Sequence, residues 1–367
     1  MTQIFSFKQE QDLAGFVQER VNPIFITGGQ TRGVNLECDR VDMTGLSGIV
    51  DYEPGALTMI AKAGTSLEHI EQVLTAEGQQ LAFEPTILNH ALGLSGVSTI
   101  GGVFATNASG SRRIQAGAAR DFLLGVRYVD GLGNVIKNGG RVMKNVTGYD
   151  IVKLMAGSWG TLGLMTEVSF KVLPMPVTQS TLIISNIDAD AGVDVMTGSL
   201  NTAFDVNGVA YDIAARCAYI RVEGFEKSVE YRSKSLKDSL STQYEINVCA
   251  DVDSADIWSK IRNLSPISDQ SGDLWKISVR PTDGPKIVKS LGLTCGVMDW
   301  SGGLIWAKLD ANRTAGDVLG HIPGHAVNLS AKAGAKFSNS NAALADLQSA
   351  IQAKFDPKGV FNPGLMG

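Results

Sequence analysis

The sequence predicts a mixed α+β fold in three parts, and three observations predict it. A short apolar run, Ile24-Phe25-Ile26-Thr27, leads directly into the glycine loop Gly28-Gly29-Gln30-Thr31-Arg32-Gly33. A block from Thr99 to Gly163 strips side chains from turns at Gly101-Gly102 and Gly110, and sets Thr99, Thr106, Asn107, Ser109 and Ser111 beside them. After Pro174 and Pro176 the character changes to short β-type runs separated by helical ones. The expected parts are residues 1–175, 176–335 and 336–367.

The 367 residues suffice for two or three domains with a sizeable core. With 44% hydrophobic and 19% charged residues, the chain reads as a soluble globular protein. A net charge of −5 gives no general reason to expect nucleic acid. Cys38, Cys217, Cys249 and Cys295 are scattered without a CxxC, so they form neither a zinc nor an iron–sulfur spacing. They read as small buried hydrophobes or free thiols of a reducing compartment. The start, MTQIFSFKQEQ, lacks the basic region and apolar run of a signal peptide. No stretch approaches the ~18 uninterrupted apolar residues of a membrane span. The expected compartment is the cytoplasm, with any attachment to the inner membrane peripheral and through partners.

Taken in order, Gln9–Val21 has Leu13, Phe16 and Val17 on one helical face, and Pro23 ends it. The Ile24–Thr27 strand then opens into the first glycine loop, the arrangement of a phosphate cradle, although it is neither GxGxxG nor a P-loop. Gly48–Glu53 and Leu57–Ala63 read as a strand pair turning at Glu53-Pro54-Gly55. Thr65 and Glu68 have the spacing of a capping box before a helix carrying Leu67, Ile70 and Leu74, with Gly78 at its C-terminal end. His69 on that helix reads as a surface residue. Residues 83–102 read as a loop that feeds the glycine pair and carries His90, more simply a hydrogen-bonded loop residue than a ligand contact. Asp121–Val129 and Val135–Ile136 flank Asp130-Gly131-Leu132-Gly133-Asn134, a hairpin turn. Val146–Met155 reads as a helix with Thr147 and Asp150 near its start, followed by strands at Leu162–Met165 and Glu167–Val172.

Beyond the two prolines, β-type runs fall at Thr181–Asn186, Ala210–Tyr211, Ala218–Glu223, Tyr244–Cys249, Leu274–Val279 and Gly303–Leu309. Ser228–Leu240 and Gly284–Ser290 look helical. Together they suggest an antiparallel sheet with helices on one face. Trp258, Trp275, Trp300 and Trp306 lie here and read as core. Ala342–Ala353 is amphipathic and leads into FDPKGVFNPGLM, two turns at the end of the chain.

Three stretches, TIGGVFATNASGSRR, DFLLGVRYVDGLGNVI and TGYDIVKLMAGSWGTLG, resemble the PCMH-type FAD-binding domain of the vanillyl-alcohol-oxidase superfamily. Within it the chain is most similar to the smaller FAD-binding subunit of bacterial glycolate oxidase. The likeness is nearly continuous from Ile26 to Met175, patchy in the middle, and resumes at FDPKGVFNPGLM. It implies a two-subdomain FAD-binding domain, a small antiparallel α+β cap over the flavin, and a tail that returns to place Asn362 beside the ring. It assigns the FAD diphosphate to Gly28, Gly29, Gln30, Thr31, Arg32 and Gly33 on one side. On the other it assigns the diphosphate and ring to Thr99, Gly101, Gly102, Thr106 and Asn107. Ser109, Arg112 and Arg113 flank that second loop, and Val168 falls where backbone groups meet the adenine. Gln30 and Arg32 depart from the family's usual GGGTS-like loop. The loop offers no His or Cys for covalent attachment, so the expected FAD is non-covalent.

The activity implied is oxidation of a 2-hydroxy acid, glycolate to glyoxylate, by a hetero-oligomer with a larger FAD-containing subunit and an iron–sulfur subunit. Such chemistry needs a cation for the carboxylate and a base for the hydroxyl proton. The histidine-rich cap motif of larger relatives is absent, and Trp159 stands where they carry a carboxylate in GSEGTLG. No metal set is expected, since Pro323 and Gly324 interrupt His321 and His325. His325 is the one plausible cap base, while Arg112 and Arg113 offer cations without a base. The isolated chain is therefore expected to turn glycolate over slowly. A self-sufficient FAD enzyme acting on another hydroxy acid or alcohol, and a non-catalytic assembly subunit, remain open on the residues alone.

Overall fold

The computed structural model describes residues 2–141, 148–330, 337 and 342–366. The N-terminal half is built on two main sheets, with a short antiparallel pair of Gln79–Gln80 and Leu173–Pro174 in addition. Ile4–Ser6, Asp39–Asp42 and Ile24–Thr27 pair in parallel, with Asp39–Asp42 in the middle. The second sheet is antiparallel and runs in the order Ile49–Glu53, Thr58–Lys62, Leu164–Lys171, Leu123–Val129, Val135–Gly139. Each sheet has its own apolar core. Leu13 and Val17 of the Glu10–Glu19 helix pack with Ile24, Val41 and Phe361 on the first. Met59, Ile70, Phe83, Phe104 and Phe170 meet on the second.

Several local readings resolve differently. Ser66, not Thr65, caps the Leu67–Ala76 helix, because the Thr65 hydroxyl is engaged by the Lys62 and Gly48 carbonyls. Leu164–Lys171 is one continuous strand rather than two. The helix expected over 146–155 is described only as Ile151–Met155, capped by Asp150, and Thr147 lies outside the described residues.

The second half holds one antiparallel sheet of eight strands. Its order is Ile246–Ala250, Thr178–Ile184, Cys217–Gly224, Gly208–Asp212, Val297–Asp299, Leu304–Leu309, Asp273–Val279, Gly324–Asn328. Helices cover both faces, not one. Leu274 and Trp275, like Ala210 and Tyr211, put large or apolar groups on opposite sides of the pleat, so neither face tolerates water. One face packs on the helices Ala189–Leu200, Glu226–Leu240 and Gly284–Ser290. The other packs on Asp251–Arg262 and on Leu88 and Ala91 of the N-terminal half. That second face positions the candidate site. Strand alternation places Arg221, Glu223, Lys276, Ser278, Trp306 and His325 on it.

Near its end the chain crosses back. The Ile24 N–H donates to Val360 O at 2.8 Å, and the Asn362 N–H donates to Ile24 O at 3.0 Å, seating Phe361 beside the first sheet.

Candidate functional site

The first glycine loop leaves the buried Ile24–Thr27 strand and packs backbone to backbone on residues 96–99. A Cβ on Gly29 would stand 1.5 Å from the Val97 carbonyl oxygen, and one on Gly28 would stand 2.3 Å from Thr99 Oγ1. Gln30 turns the loop at φ +56°, its side chain held by Arg40. Among the described residues, the N–H groups of Gly29, Gln30, Thr31 and Arg32 donate to no protein acceptor. Four successive unspent amides make an anion-binding concavity.

The Thr99–Gly102 segment is different. It begins a helix, Ile100–Ala105, capped by Thr99. Its donors are spent inside the protein: Ile100 N–H on Thr65 O at 2.9 Å, Gly101 N–H on Ala63 O at 2.8 Å, and Gly102 N–H on Thr99 Oγ1 at 3.3 Å. The expectation that this backbone closes around a diphosphate is corrected. Thr99, Gly101, Gly102 and Thr106 supply a wall almost bare of side chains.

Between these walls lies a cleft of about 800 Å³, completed by Trp159, Gly160, Met165 and Asn362. Both polar atoms of the Asn362 amide act as a clamp: Oδ1 accepts the Ile26 N–H at 2.8 Å and Nδ2 donates to Trp159 O at 2.7 Å. A flavin dinucleotide fits this cleft. The free amides face one end of the wall, and Gly102 opens onto the cavity with only Thr99 Oγ1 near its missing Cβ.

Five expected cofactor contacts lie elsewhere. Gly33 packs on Leu329, whose carbonyl oxygen a Cβ would meet at 2.0 Å. Asn107 sits behind the wall, its Oδ1 accepting the Arg120 N–H. Ser109 is tied to Ala119 and Asn107. Val168 is fully buried in a strand paired on both sides, with Ala61 and Val126, which leaves its backbone in the ladder. Arg112 joins a buried ion cluster between the two halves. In that cluster Arg221 forks Glu84 at 2.9 and 2.8 Å, and Arg112 bridges Glu84 at 3.0 Å and Glu223 at 2.6 Å. Burial alone would raise the Glu84 pKa, but Arg221 and then Arg112 outweigh it and hold it at about 2. Beside the cluster, burial pushes Asp299 up to about 7, although Ser111 Oγ and the Trp300 N–H donate to it.

A second cavity of about 600 Å³ adjoins the cleft, sharing Arg32, Thr106 and Trp159 with it. Its far wall is the cap sheet, with Lys276, Ser278, Trp306 and His325, and Ser109 lines it from the N-terminal half. His325 keeps solvent contact at the rim and stacks on Phe337, ring centroids 5.8 Å apart. Desolvation by its surroundings, then the Lys276 ammonium, hold its pKa below the usual histidine value. Burial lowers Lys276 to about 8, helped by Arg113 and Arg32. Burial likewise lowers Arg32 to about 10, with Arg262 adding to it. His90 is exposed and reaches neither cavity. Lys276 was missed by sequence reasoning. Its signal was a single cation alternating with apolar residues in Leu274-Trp275-Lys276-Ile277, a charge pointed to one face of a buried strand.

Comparison with known proteins bears on this site. Residues 6–139 match the FAD binding domain family model. The chain is 33% identical to glycolate oxidase subunit GlcE of Escherichia coli, over 98% of each chain. It is 43% identical to glycolate oxidase subunit GlcD of Bacillus subtilis over 97 residues, 26% of this chain and 21% of that one. Among solved structures, an alkyldihydroxyacetonephosphate synthase superposes with a TM-score of 0.69 at 17% identity, covering 98% of this chain and 76% of the other.

Proposed function

We propose that this chain, which belongs to the glycolate oxidase subunit GlcE family, is the FAD-binding subunit of a multi-subunit enzyme that oxidises glycolate to glyoxylate. The observation that carries the reading is the full-length match to a glycolate oxidase subunit, 33% identical over 98% of both chains. The partial match to a second, different glycolate oxidase subunit supports a multi-subunit enzyme.

Bound FAD supplies the two-electron acceptor; the protein supplies binding, orientation and electrostatics. The N–H groups from Gly29 to Arg32 hold the diphosphate, with Gly28 keeping that loop close. Thr99, Gly101, Gly102 and Thr106 give the dinucleotide its flat wall, and Asn362 fixes the cleft's closing edge. The attachment is non-covalent. His325, kept neutral at physiological pH by its desolvation and by Lys276, accepts the hydroxyl proton. The partners are a larger FAD-containing subunit and an iron–sulfur subunit that removes the electrons, with any membrane contact made through them.

Flavin content and glycolate-dependent dye reduction, measured on the purified chain and on the co-expressed subunits, test this. The expected result is a flavin-loaded single chain that turns over slowly and an assembled enzyme that turns over fast. Comparable turnover per flavin in the two would instead identify a self-sufficient enzyme. A colourless, flavin-free chain would overturn the cofactor role itself.

A further inference from the structure

The second cavity carries an unbalanced charge. Arg32 donates one bond, Nη1 to Thr86 O at 2.8 Å, which turns its guanidinium away from the dinucleotide cleft and toward the cap. Its Nη2 is buried and has no partner. Lys276 lies over the rings of Trp300 and Trp306, 5.7 Å from each centroid, and no described residue accepts a hydrogen bond from its ammonium. Among the described residues, no Asp or Glu lines the cavity. In sequence, residues 331–341 contain no Asp or Glu either. The nearest buried carboxylates are otherwise engaged: Glu84 and Glu223 by Arg112 and Arg221, and Asp299 by Ser111. Burying two uncompensated cations costs stability, and Arg32 adds to the depression of Lys276's proton affinity. A fold that tolerates this without a counter-charge of its own has an anion to receive.

We propose that this cavity binds the carboxylate of a small 2-hydroxy or 2-oxo acid, with Arg32 Nη2 donating to it and Lys276 completing the charge. The assignment rests on the FAD reading of the adjoining cleft. Three features favour a carboxylate over an inorganic anion. The unspent Arg32 Nη2 is a planar charged donor that a carboxylate oxygen matches. Flat apolar side chains, Trp159, Trp306 and Phe337, form part of the remaining wall beside Ser109 and Ser278, which suits a short carbon skeleton bearing oxygens rather than a hydrated ion. The cavity shares Thr106 and Trp159 with the dinucleotide cleft, so an acid held by its carboxylate meets that cleft with its other end. His325 lies two ladder positions from Lys276 on the same face, paired with Ser278, and lines the same cavity, so the 2-oxygen of such an acid meets it there.

The test titrates the flavin-loaded chain with oxalate, followed by the change in flavin absorbance and by calorimetry. Inorganic phosphate is the competing probe. Saturable oxalate binding is expected, with phosphate at least tenfold weaker. Lys276→Met should weaken oxalate at least tenfold at unchanged flavin content. In the unmodified protein, oxalate affinity should fall as pH rises through about 8, where Lys276 gives up its proton while the facing Arg32 and Arg113 stay charged and His325 is already neutral. The pH profile stands on its own if the variant does not fold. A chain that holds its flavin but binds no oxalate overturns this inference and leaves the cofactor role intact, whereas a chain without flavin overturns the cofactor role. Phosphate binding as tightly as oxalate, a Lys276→Met protein with parental affinity, or a pH-independent affinity would each overturn the carboxylate assignment.

Discussion

Gly102 separates folding from cofactor binding. A Cβ built there meets only Thr99 Oγ1, at 3.2 Å, and otherwise faces the open cleft. Gly101, one residue earlier, is the opposite case: its Cβ would stand 2.6 Å from Ala63 Cβ and 2.8 Å from Ala63 O. Replacing Gly102 with Val should therefore leave the fold intact, since removing a helical glycine recovers part of about 1 kcal/mol of propensity. The added side chain occupies the space where the dinucleotide lies on the wall. Crowding of that kind costs about 1–3 kcal/mol. Shifting the cofactor off the amides from Gly29 to Arg32 forfeits charge-assisted hydrogen bonds worth about 1.5–3 kcal/mol each. A total near 4 kcal/mol is about a thousandfold in Kd. The assay is a thermal melt of the flavin-stripped protein with and without added FAD. Gly102→Val should melt no lower than the parent without FAD and gain almost nothing from it, because ligand stabilisation scales with occupancy. Gly101→Ala should melt lower even without FAD. A Gly102→Val protein that stays folded and keeps stoichiometric flavin at parental affinity would refute the placement of the dinucleotide on this wall.

Acid precipitation should release all of the flavin into the supernatant, because no His or Cys lines the cleft among the described residues; flavin fluorescence left on a denaturing gel band would contradict this. Asp299 makes a pH prediction with a definite sign. Its folded pKa, about 7, lies above the roughly 3.9 of an unfolded aspartate, so the stability it contributes is complete below about pH 4 and lost as pH rises through 7. Asp299→Asn keeps an acceptor for the Trp300 N–H and removes that loss, so urea melts should favour the variant progressively from pH 5 to pH 8. A constant difference between the two proteins across that range would show that Asp299 does not titrate there.

The strand-to-glycine-loop signal at Ile24–Gly33 was legible because it is local: an apolar run, then residues that cannot clash. The Asp130–Asn134 hairpin and the Gly284–Ser290 helix were legible for the same reason. Ile100–Ala105 was not, since two glycines argue against a helix. Its stability comes from the Thr99 cap and from the carbonyls of Thr65 and Ala63, brought there by distant strands. Asp251–Arg262 was missed because much of its surface is polar and only Ser254, Trp258 and Ile261 are buried. At the site, the dinucleotide cleft was written in glycines, while the second cavity was not. Arg32, Lys276 and His325 come together only when the cap sheet closes over the first loop. Arg112 carried the opposite lesson: beside a glycine loop in sequence, it is drawn away by Glu84 and Glu223.

The Asn362 clamp sets an order of events during synthesis. The residue that bonds Ile26 and Trp159 is translated 336 positions after Ile26. The Ile24–Thr27 strand, the glycine loop and the cap sheet all leave the ribosome before the cleft has its last wall. Until Asn362 has emerged, the growing chain offers FAD only an unfinished site, so cofactor capture waits on a residue made long after the loop it braces.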